Sequence, residues 1–482
     1  MKASGVKNAG AMPDFVYDAV RYSNYPYGQT HPDRLGTVAV LYGLHPPDPF
    51  TARVLEIGCG AGGNLIAMAA ATPGIRALGF DLAAGPIADG QRAIAEIGMT
   101  NVELRHGDVR AVTDLGEFDY VIAHGVYSWI PPDARDALLA TIHSFLAPHG
   151  IAYISYNAEP GGYFRRMLRD AGLWHARGVE PGDEIARALK AQELYKFLQQ
   201  HRVTEADTYG ALLGREVPPL AGAPLYRLVH DDLSPDFDAC WFADFAAHAG
   251  QHGLGYVGEA DLYGLRTEML PSEVEPELWQ LAGGDRTAFE NYTDLLTARH
   301  FRQSVLSHAA CAPAGVEPVP ALAERLHWAA LPNAEPLEVG LLADAYAELS
   351  TLNFRTLGFE ELRQRLDADR GELAKALLDG FRRERLLPHA GPFHAASEPS
   401  ERPVASALAR WQAAHDETLT SLVYTTIRME EPAARLLITL LDGTRDRAAI
   451  RAELHARAGL ELTEQDLDNN LHELMRLFLL EA

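Results

Sequence analysis

The residues best suited to bind a cofactor lie in one glycine-rich segment, residues 53–64. In this segment an apolar run ends in a carboxylate and is followed by glycines and then by a helical pattern. Such a turn presents backbone amides to an anionic or zwitterionic cofactor, and its glycines let the ligand approach the backbone. Gly58, Gly60 and Gly63 fit the dinucleotide spacing G-x-G-x-x-G. The spacing E-x-G-x-G-x-G, from Glu56 to Gly62, fits equally well and adds a carboxylate ahead of the turn.

Two further acidic residues follow predicted strands and help to distinguish the ligands that the two glycine spacings could bind. Asp81 ends the run 76–81, where a carboxylate can accept from both ribose hydroxyls in either ligand class. Asp108 follows the run 102–105 and can accept from an adenine amine, which dinucleotide folds do not regularly require. At Glu56, negative charge would repel a pyrophosphate but attract the ammonium of S-adenosylmethionine. The acids, with Asn64 in the same segment, favour S-adenosylmethionine over a nicotinamide or flavin, and a glycine turn without ligand is less favoured still.

In this order the motifs resemble those of class I S-adenosylmethionine-dependent methyltransferases, and the segment Phe118–Pro131 extends the resemblance. More narrowly, the segments 22–35 and 155–162 look like the subgroup that carries a methyltransferase regulatory domain. That subgroup includes rickettsial enzymes that methylate lysines of outer-membrane proteins. The resemblance covers most of the chain and implies S-adenosylmethionine as the methyl donor.

Length and composition fit a multidomain cytoplasmic enzyme. The 482 residues are 47% hydrophobic, and we expect two to four domains with real cores. The amino terminus lacks an export-signal pattern and no apolar run is long enough to cross a bilayer, so neither secretion nor membrane insertion is expected. The three scattered cysteines give no metal-ligand spacing, and no metal is expected. A net charge of −24 argues against a nucleic acid acceptor and favours a cationic protein segment. A homodimer is compatible with the sequence.

Strands and helices alternate from about residue 35 to 156, which predicts an α/β fold: a doubly wound seven-stranded sheet of the class I methyltransferase type. Residues 163–228 read as a helical insertion. Residues 244–260 and 301–308 then read as a helix with a sixth strand and as a reversed seventh strand, so that a regulatory segment completes the sheet. The alternative is a small independent domain that only contacts the core. The expected domains are 1–162 (core with an N-terminal lid), 163–228, 229–312, 313–396 and 397–482.

The last two domains share a pattern of a short helix, a turn, a longer amphipathic helix and an apolar tail, which is typical of winged-helix units. A DNA-reading helix would carry basic residues, yet the segment Glu464–Asn470 at the start of the second long helix is acidic. We therefore expect mostly helical C-terminal domains that contact protein rather than DNA.

Candidate acceptor-binding residues follow the fourth and fifth strands, where class I enzymes line the substrate mouth. Each has a structural alternative: Tyr127 can be aromatic packing under a loop, His124 a neutral core histidine, and Asn157 part of a turn. Tyr156 joins them as a catalytic candidate. The aromatic cluster before the first strand favours a lid over the donor rather than a packed helical arm; its members are Tyr17, Tyr22, Tyr25, Tyr27 and His31, of which Tyr25 and His31 are the cofactor-binding candidates.

Three functions stay open at this point. The first is a methyltransferase that acts on lysine side chains of proteins, favoured by the long insertion, the acidic surface and the C-terminal units. The second is a small-molecule or natural-product methyltransferase whose acceptor is enclosed by the insertion. The third is a donor-binding regulator without catalytic activity, against which the intact glycines and acids argue.

Overall fold

The computed structural model describes residues 20–22, 25–204, 206–261, 274–313, 315, 318–331, 339–352, 355–393, 396 and 398–481. Tyr17 of the expected lid lies outside these residues. No helix among the described residues is both long enough and apolar enough to cross a membrane.

A seven-stranded sheet forms the centre of the molecule, in the order β3-β2-β1-β4-β5-β7-β6. Strands β1 to β5 run parallel, whereas β7 is antiparallel to both β5 and β6. Apolar runs form these strands because helices cover both faces of the sheet. The strands are β1 (Arg53–Ile57), β2 (Arg76–Asp81), β3 (Val102–His106), β4 (Phe118–Ala123), β5 (Leu146–Asn157), β6 (Leu254–Glu259) and β7 (Phe301–His308).

The helices account for most of the remaining chain. They are α1 (Pro32–Leu41), α2 (Gly63–Ala71), α3 (Ala84–Ile97), α4 (Pro132–Phe145), α5 (Gly162–His175), α6 (Glu184–His201), α7 (Thr208–Ala221), α8 (Phe242–Gln251), α9 (Val274–Leu281), α10 (Arg286–Thr297), α11 (Leu341–Ser350), α12 (Phe359–Arg365), α13 (Arg370–Arg382), α14 (Ala407–His415), α15 (Pro432–Leu440), α16 (Arg447–Ala458) and α17 (Glu464–Arg476).

The predicted sixth and seventh strands are confirmed, so the seven-stranded class I sheet is complete only with residues far downstream of β5. A buried charge network fixes β7 in this position. Arg302 is fully buried on β7 and binds Glu259 of β6 together with Glu290 and Asp294 of α10, at 2.8, 3.0 and 2.7 Å. Removing one partner would leave an uncompensated buried charge, which makes the arrangement specific. The alternative of a small domain that only contacts the core is wrong.

The helical insertion forms its own core beside the sheet. Helices α5, α6 and α7 pack around the fully buried Tyr195, whose hydroxyl donates to the carbonyl of Leu168 at 3.1 Å. After α7, two short helical segments, Leu225–Arg227 and Leu228–Asp232, lead back to the sheet. The insertion therefore lies at the edge where β5 ends.

Two smaller units follow the sheet and pack against the helices that flank it. The first combines α11 to α13 with the sheet β10-β8-β9, whose strands are β8 (His327–Ala330), β9 (Leu357–Gly358) and β10 (Leu386–His389). Its core around the buried Trp328 also takes in Val40 and Leu41 of α1. The second contains α14 to α17 and a hairpin of β11 (Thr418–Thr420) and β12 (Thr426–Arg428). Both winged-helix-like units are thus built into the fold.

The hairpin of the second unit inserts an aromatic side chain into the methyltransferase core. Tyr424 lies between β11 and β12, with a left-handed backbone (φ 64°). Its ring packs edge-on against His31 with centroids 4.7 Å apart, and its hydroxyl is buried without a hydrogen-bond partner. The C-terminal unit therefore contacts the segment that leads into α1.

Candidate active site

A cavity of about 500 Å³ lies at the carboxyl end of the parallel strands, where open α/β sheets bind their ligands. Residues from the core, the N-terminal segment, the insertion and the regulatory segment contribute to it. Those that matter below are Tyr22, Tyr25, Tyr27, Glu56, Gly58, Gly60, Asn64, Asp81, His124, Trp129, Asn157, Arg165, Asp231 and Phe301.

Glu56 supplies a buried carboxylate to the cavity. The residue is only 4% exposed; Oε1 accepts from the amide of Asn64 at 3.0 Å, whereas Oε2 is buried without a partner. Burial raises the pKa of Glu56 to about 8, and the negative charge of Asp81 acts in the same direction. A buried acceptor without a donor is costly. The site therefore fits a cationic group, as the ammonium of S-adenosylmethionine provides.

The glycines of the turn have different tasks. Gly60 has a left-handed backbone (φ 57°), and a Cβ there would meet no atom within 4 Å, so the side-chain space is left to the cavity. At Gly58 a Cβ would lie 2.5 Å from Val126. Gly62 does not line the cavity, and its role in cofactor binding stays a prediction. It caps α2 with φ 75°, and a Cβ would lie 2.6 Å from Leu104.

Asp81 lines the cavity and its carboxylate is oriented by the turn itself. Its two oxygens accept from the backbone amides of Gly60 and Ala83, each at 2.8 Å. A carboxylate held in this way keeps lone pairs for ribose hydroxyls. Asp108 does not line the cavity, because Arg110 binds its carboxylate with Nη2 at 2.6 Å. Its contact with an adenine amine stays a prediction.

Asn64 ties the N-terminal segment to the glycine turn. Its amide nitrogen donates to Thr30 Oγ1 at 2.9 Å as well as to Glu56, and its Oδ1 accepts from the backbone amide of Tyr27 at 2.9 Å. Asn64 therefore positions Glu56 and fastens the segment that carries Tyr25 over the cavity. Tyr25 is 38% exposed and lines the cavity, and its role in cofactor binding stays a prediction.

His31 does not line the donor cavity, and its role in cofactor binding stays a prediction. It is the N-cap of α1, and its Nδ1 accepts from the backbone amide of Asp33 at 3.1 Å. Burial lowers the pKa of His31 to about 4, so the ring is neutral. Its other neighbours include Tyr424, on the side where the C-terminal units pack.

His124 lines the cavity as a neutral imidazole. Its Nδ1 lies 3.0 Å from the hydroxyl of Tyr153 and 3.2 Å from that of Ser155, and burial lowers its pKa to about 4. Its ring packs against Tyr27 with centroids 4.1 Å apart. An imidazole with so low a pKa carries no second proton near neutral pH, so it is uncharged and a weak base.

Tyr127 and Tyr156 do not line the cavity, and their catalytic roles stay predictions. Both are buried, at 5% and 1% exposure, and both pack against Phe245 of α8. The hydroxyl of Tyr127 lies 2.8 Å from Nδ1 of His248, and that of Tyr156 lies 3.2 Å from Ser304. The side chain of Tyr127 therefore takes part in aromatic packing under a loop, which is the structural alternative that the sequence left open for it.

Asn157 lines the cavity, and its side chain is held from the insertion. Arg165 of α5 donates to its Oδ1 at 2.9 Å and to Asp232 at 3.0 Å. The backbone amide of Asn157 donates to Ser128 Oγ at 2.8 Å, which joins the loops after β4 and β5. The amide oxygen of Asn157 is thus fixed in orientation and retains a second lone pair.

Asp231 is a cavity residue that the sequence analysis did not identify. Its Oδ2 accepts from the hydroxyl of Tyr22 at 2.9 Å, across the gap between the regulatory and N-terminal segments. Burial raises the pKa of Asp231 to about 6, and the charge of Asp232 adds to the effect. The sequence offered one signal, the acidic pair 231–232. Phe301 at the start of β7 also belongs to the cavity.

Three family models match successive parts of the chain: a methyltransferase domain (residues 54–150), a predicted methyltransferase regulatory domain (224–308) and the C-terminal winged helix domain of PKMT (401–476). An uncharacterized protein of Rickettsia prowazekii is 31% identical over 237 residues, 48% of this chain and 93% of that protein. The chain belongs to the class I S-adenosylmethionine-dependent methyltransferases that carry a regulatory domain.

Another uncharacterized protein of Rickettsia prowazekii is 34% identical over 306 residues, 63% of this methyltransferase. The chain spans about half of the length of that relative, 54%. PKMT2 of Rickettsia typhi, solved alone and in complex with AdoHcy, has the same fold, with a TM-score of 0.80 at 22% identity over 96% of this chain and 100% of that one. The regulatory segment of the family supplies Asp231 and Phe301 to the cavity, so it contributes to the site as well as to the sheet.

Proposed function

We propose that the chain transfers the methyl group of S-adenosylmethionine to lysine side chains of a protein. The observation that carries the proposal is that one cavity combines the carboxylate of Asp231 with the aromatic rings of Tyr25, Tyr27 and Phe301. A carboxylate binds the ammonium of lysine, and aromatic faces attract cations. The winged-helix model named for PKMT and the likeness to PKMT2 support the same choice.

Each residue of the cavity has a distinct task in this proposal. Glu56 Oε2 binds the ammonium of the donor and Asp81 binds its ribose, which fixes the donor before the acceptor arrives. When bound, S-adenosylmethionine supplies an electrophilic methyl group. In-line transfer then depends on alignment and on exclusion of water.

The acceptor nitrogen needs a free lone pair, and a lysine in water has a pKa near 10.4. Asp231 binds the ammonium and accepts a proton from its Nζ, and the half-buried carboxylate can pass that proton to solvent. His124 is neutral, so it adds no positive charge that would repel the lysine. Asn157, held by Arg165, offers its amide oxygen to the nitrogen.

Two arginines of the cavity would suit an acidic small molecule as the acceptor. Each is already paired, since Arg165 binds Asp232 at 3.0 Å and Arg21 binds Asp89 at 3.1 Å. Their charges are therefore compensated, and the half-buried Asp231 sets the preference for a cation.

The experiment is transfer of labelled methyl groups into a lysate of the organism that carries the chain. We expect label in protein, on lysine, from the parent chain but not from Asp81→Ala, and no label in protein once the lysate's lysines have been acetylated. Label confined to small molecules would establish the second function instead. Donor binding without any transfer would favour the regulator.

A further inference from the structure

Three metal-ligating side chains meet on the surface, and none of them lines the donor cavity. Asp136 belongs to α4 of the methyltransferase core. His248 belongs to α8 of the regulatory segment, and His252 is the C-cap of the same helix. Because residues four apart share one face of a helix, the two imidazoles point in the same direction.

The geometry suits a metal ion. Nε2 of His252 lies 2.9 Å from Oδ1 of Asp136, and Nε2 of His248 lies 3.6 Å from the same oxygen. All three ligand atoms lie within 4.8 Å of one another. Ligands of a tetrahedral zinc ion, bound at 2.0–2.1 Å, are about 3.3 Å apart. Small movements of the exposed Asp136 and of the two half-buried histidines would therefore bring all three onto one ion.

A hydrogen bond at the second ring nitrogen of His248 fixes the imidazole in the orientation that metal binding requires. Its Nδ1 lies 2.8 Å from the hydroxyl of Tyr127, which leaves Nε2 directed at Asp136. Tyr127 is buried against Tyr156 and Phe245, so it is a rigid support. Metal-bound histidines characteristically use their second nitrogen in this way.

We propose that Asp136, His248 and His252 bind a divalent transition-metal ion, with Zn²⁺ as the best match to two imidazoles and a carboxylate. Asp136 is 66% exposed at its side chain, so water fills the fourth position. The ion fastens α8 of the regulatory segment to α4 of the core. Through Tyr127 it also stabilises the loop that begins with His124.

The sequence carried one signal for this site, the H-x-x-x-H spacing within the predicted helix 244–252. Asp136 could not be assigned as the third ligand from the sequence, because it is brought to the histidines only by the packing of α4 against the regulatory segment. A plain ion pair between Asp136 and His252 is the alternative arrangement.

The test is titration of Zn²⁺ into the full chain, prepared without a polyhistidine tag and stripped with a chelator, followed by calorimetry and by metal analysis after dialysis. We expect one zinc per chain, an affinity at least tenfold lower in Asp136→Asn and in His252→Gln, and a loss of about tenfold or more in Tyr127→Phe. His415→Gln is the control, because His415 is an exposed histidine that faces Glu96.

Saturating zinc should also raise the melting temperature of the parent chain and leave that of Asp136→Asn unchanged. The absence of zinc binding by the parent would overturn the proposal. So would zinc bound with equal affinity by the parent, Asp136→Asn and His252→Gln, which would make it an adventitious ion only. Neither result depends on methyl transfer.

Discussion

Substitution of Glu56 by glutamine tests how the donor is bound. Glutamine keeps the size and the hydrogen-bonding shape of the protonated side chain but cannot become negative. A hydrogen bond to a charged group contributes about 1.5–3 kcal/mol, so the variant should bind S-adenosylhomocysteine roughly 10-fold to 100-fold more weakly. The relevant oxygen is Oε2, which is buried without a partner.

A proton accompanies this binding step. Because the pKa of Glu56 is raised to about 8, the empty site holds its proton at pH 7. A donor ammonium beside Oε2 favours the ionised form, so binding should release about nine-tenths of a proton at pH 7. Calorimetry in phosphate and in Tris measures this number, because the two buffers differ in ionisation enthalpy. Glu56→Gln should release none.

The raised pKa of Glu56 also makes the stability of the protein depend on pH. An unfolded glutamate loses its proton near its ordinary pKa of 4.5, whereas folded Glu56 holds it until about pH 8. The free energy of unfolding of the empty chain therefore decreases as pH rises from about 4.5 to 8. At pH 8 the empty Glu56→Gln chain should be at least as stable as the parent. An unstable variant, or equal proton release by the two proteins, would refute this account.

Three further outcomes are expected. Turnover on a lysine acceptor should fall as pH drops through about 6, because Asp231 takes up a proton, and Asp231→Asn should be slow throughout; an unchanged acidic limb in the variant would contradict this. In urea unfolding, Tyr424→Ala should lose about 2 kcal/mol, whereas Tyr424→Phe should match the parent because the hydroxyl has no partner; equal losses would assign a role to that hydroxyl. Gly60→Ala should mainly weaken donor binding, measured by calorimetry. Gly62→Ala should instead lower the free energy of unfolding by about 2 kcal/mol or more, because its Cβ collides with Leu104. A fold destabilised by Gly60→Ala and donor binding weakened by Gly62→Ala would exchange the two roles.

The sheet and the acidic strand ends could be predicted from the sequence because their signals are local. Glu56 and Asp81 each end or nearly end an apolar run, and parallel strands bring such ends to one edge. The reversed seventh strand was also predictable, since residues 301–308 alternate in polarity. Both cases need only a strand pattern and the topology that follows from it.

The sequence does not decide between two tasks that one residue type can perform. His31 and Gly62 both cap helices, and a capping histidine or a left-handed glycine has the same sequence appearance as a ligand-binding one. Tyr127 was placed correctly after β4, but its side chain packs beneath the sheet edge. Asp231 was missed because only the folding of the regulatory segment brings it beside Tyr22, which lies 209 residues earlier in the chain.

The late position of β7 in the chain affects synthesis of the protein. Strand β5 is twelve residues long, and its free edge must wait for β7 until the insertion and the regulatory segment have left the ribosome. At ordinary translation rates this delay is on the order of ten seconds. During that time a long apolar edge is open to pairing with other nascent chains. The edge closes only when β7 pairs with β5, and the buried ion pairs of Arg302 then hold it closed.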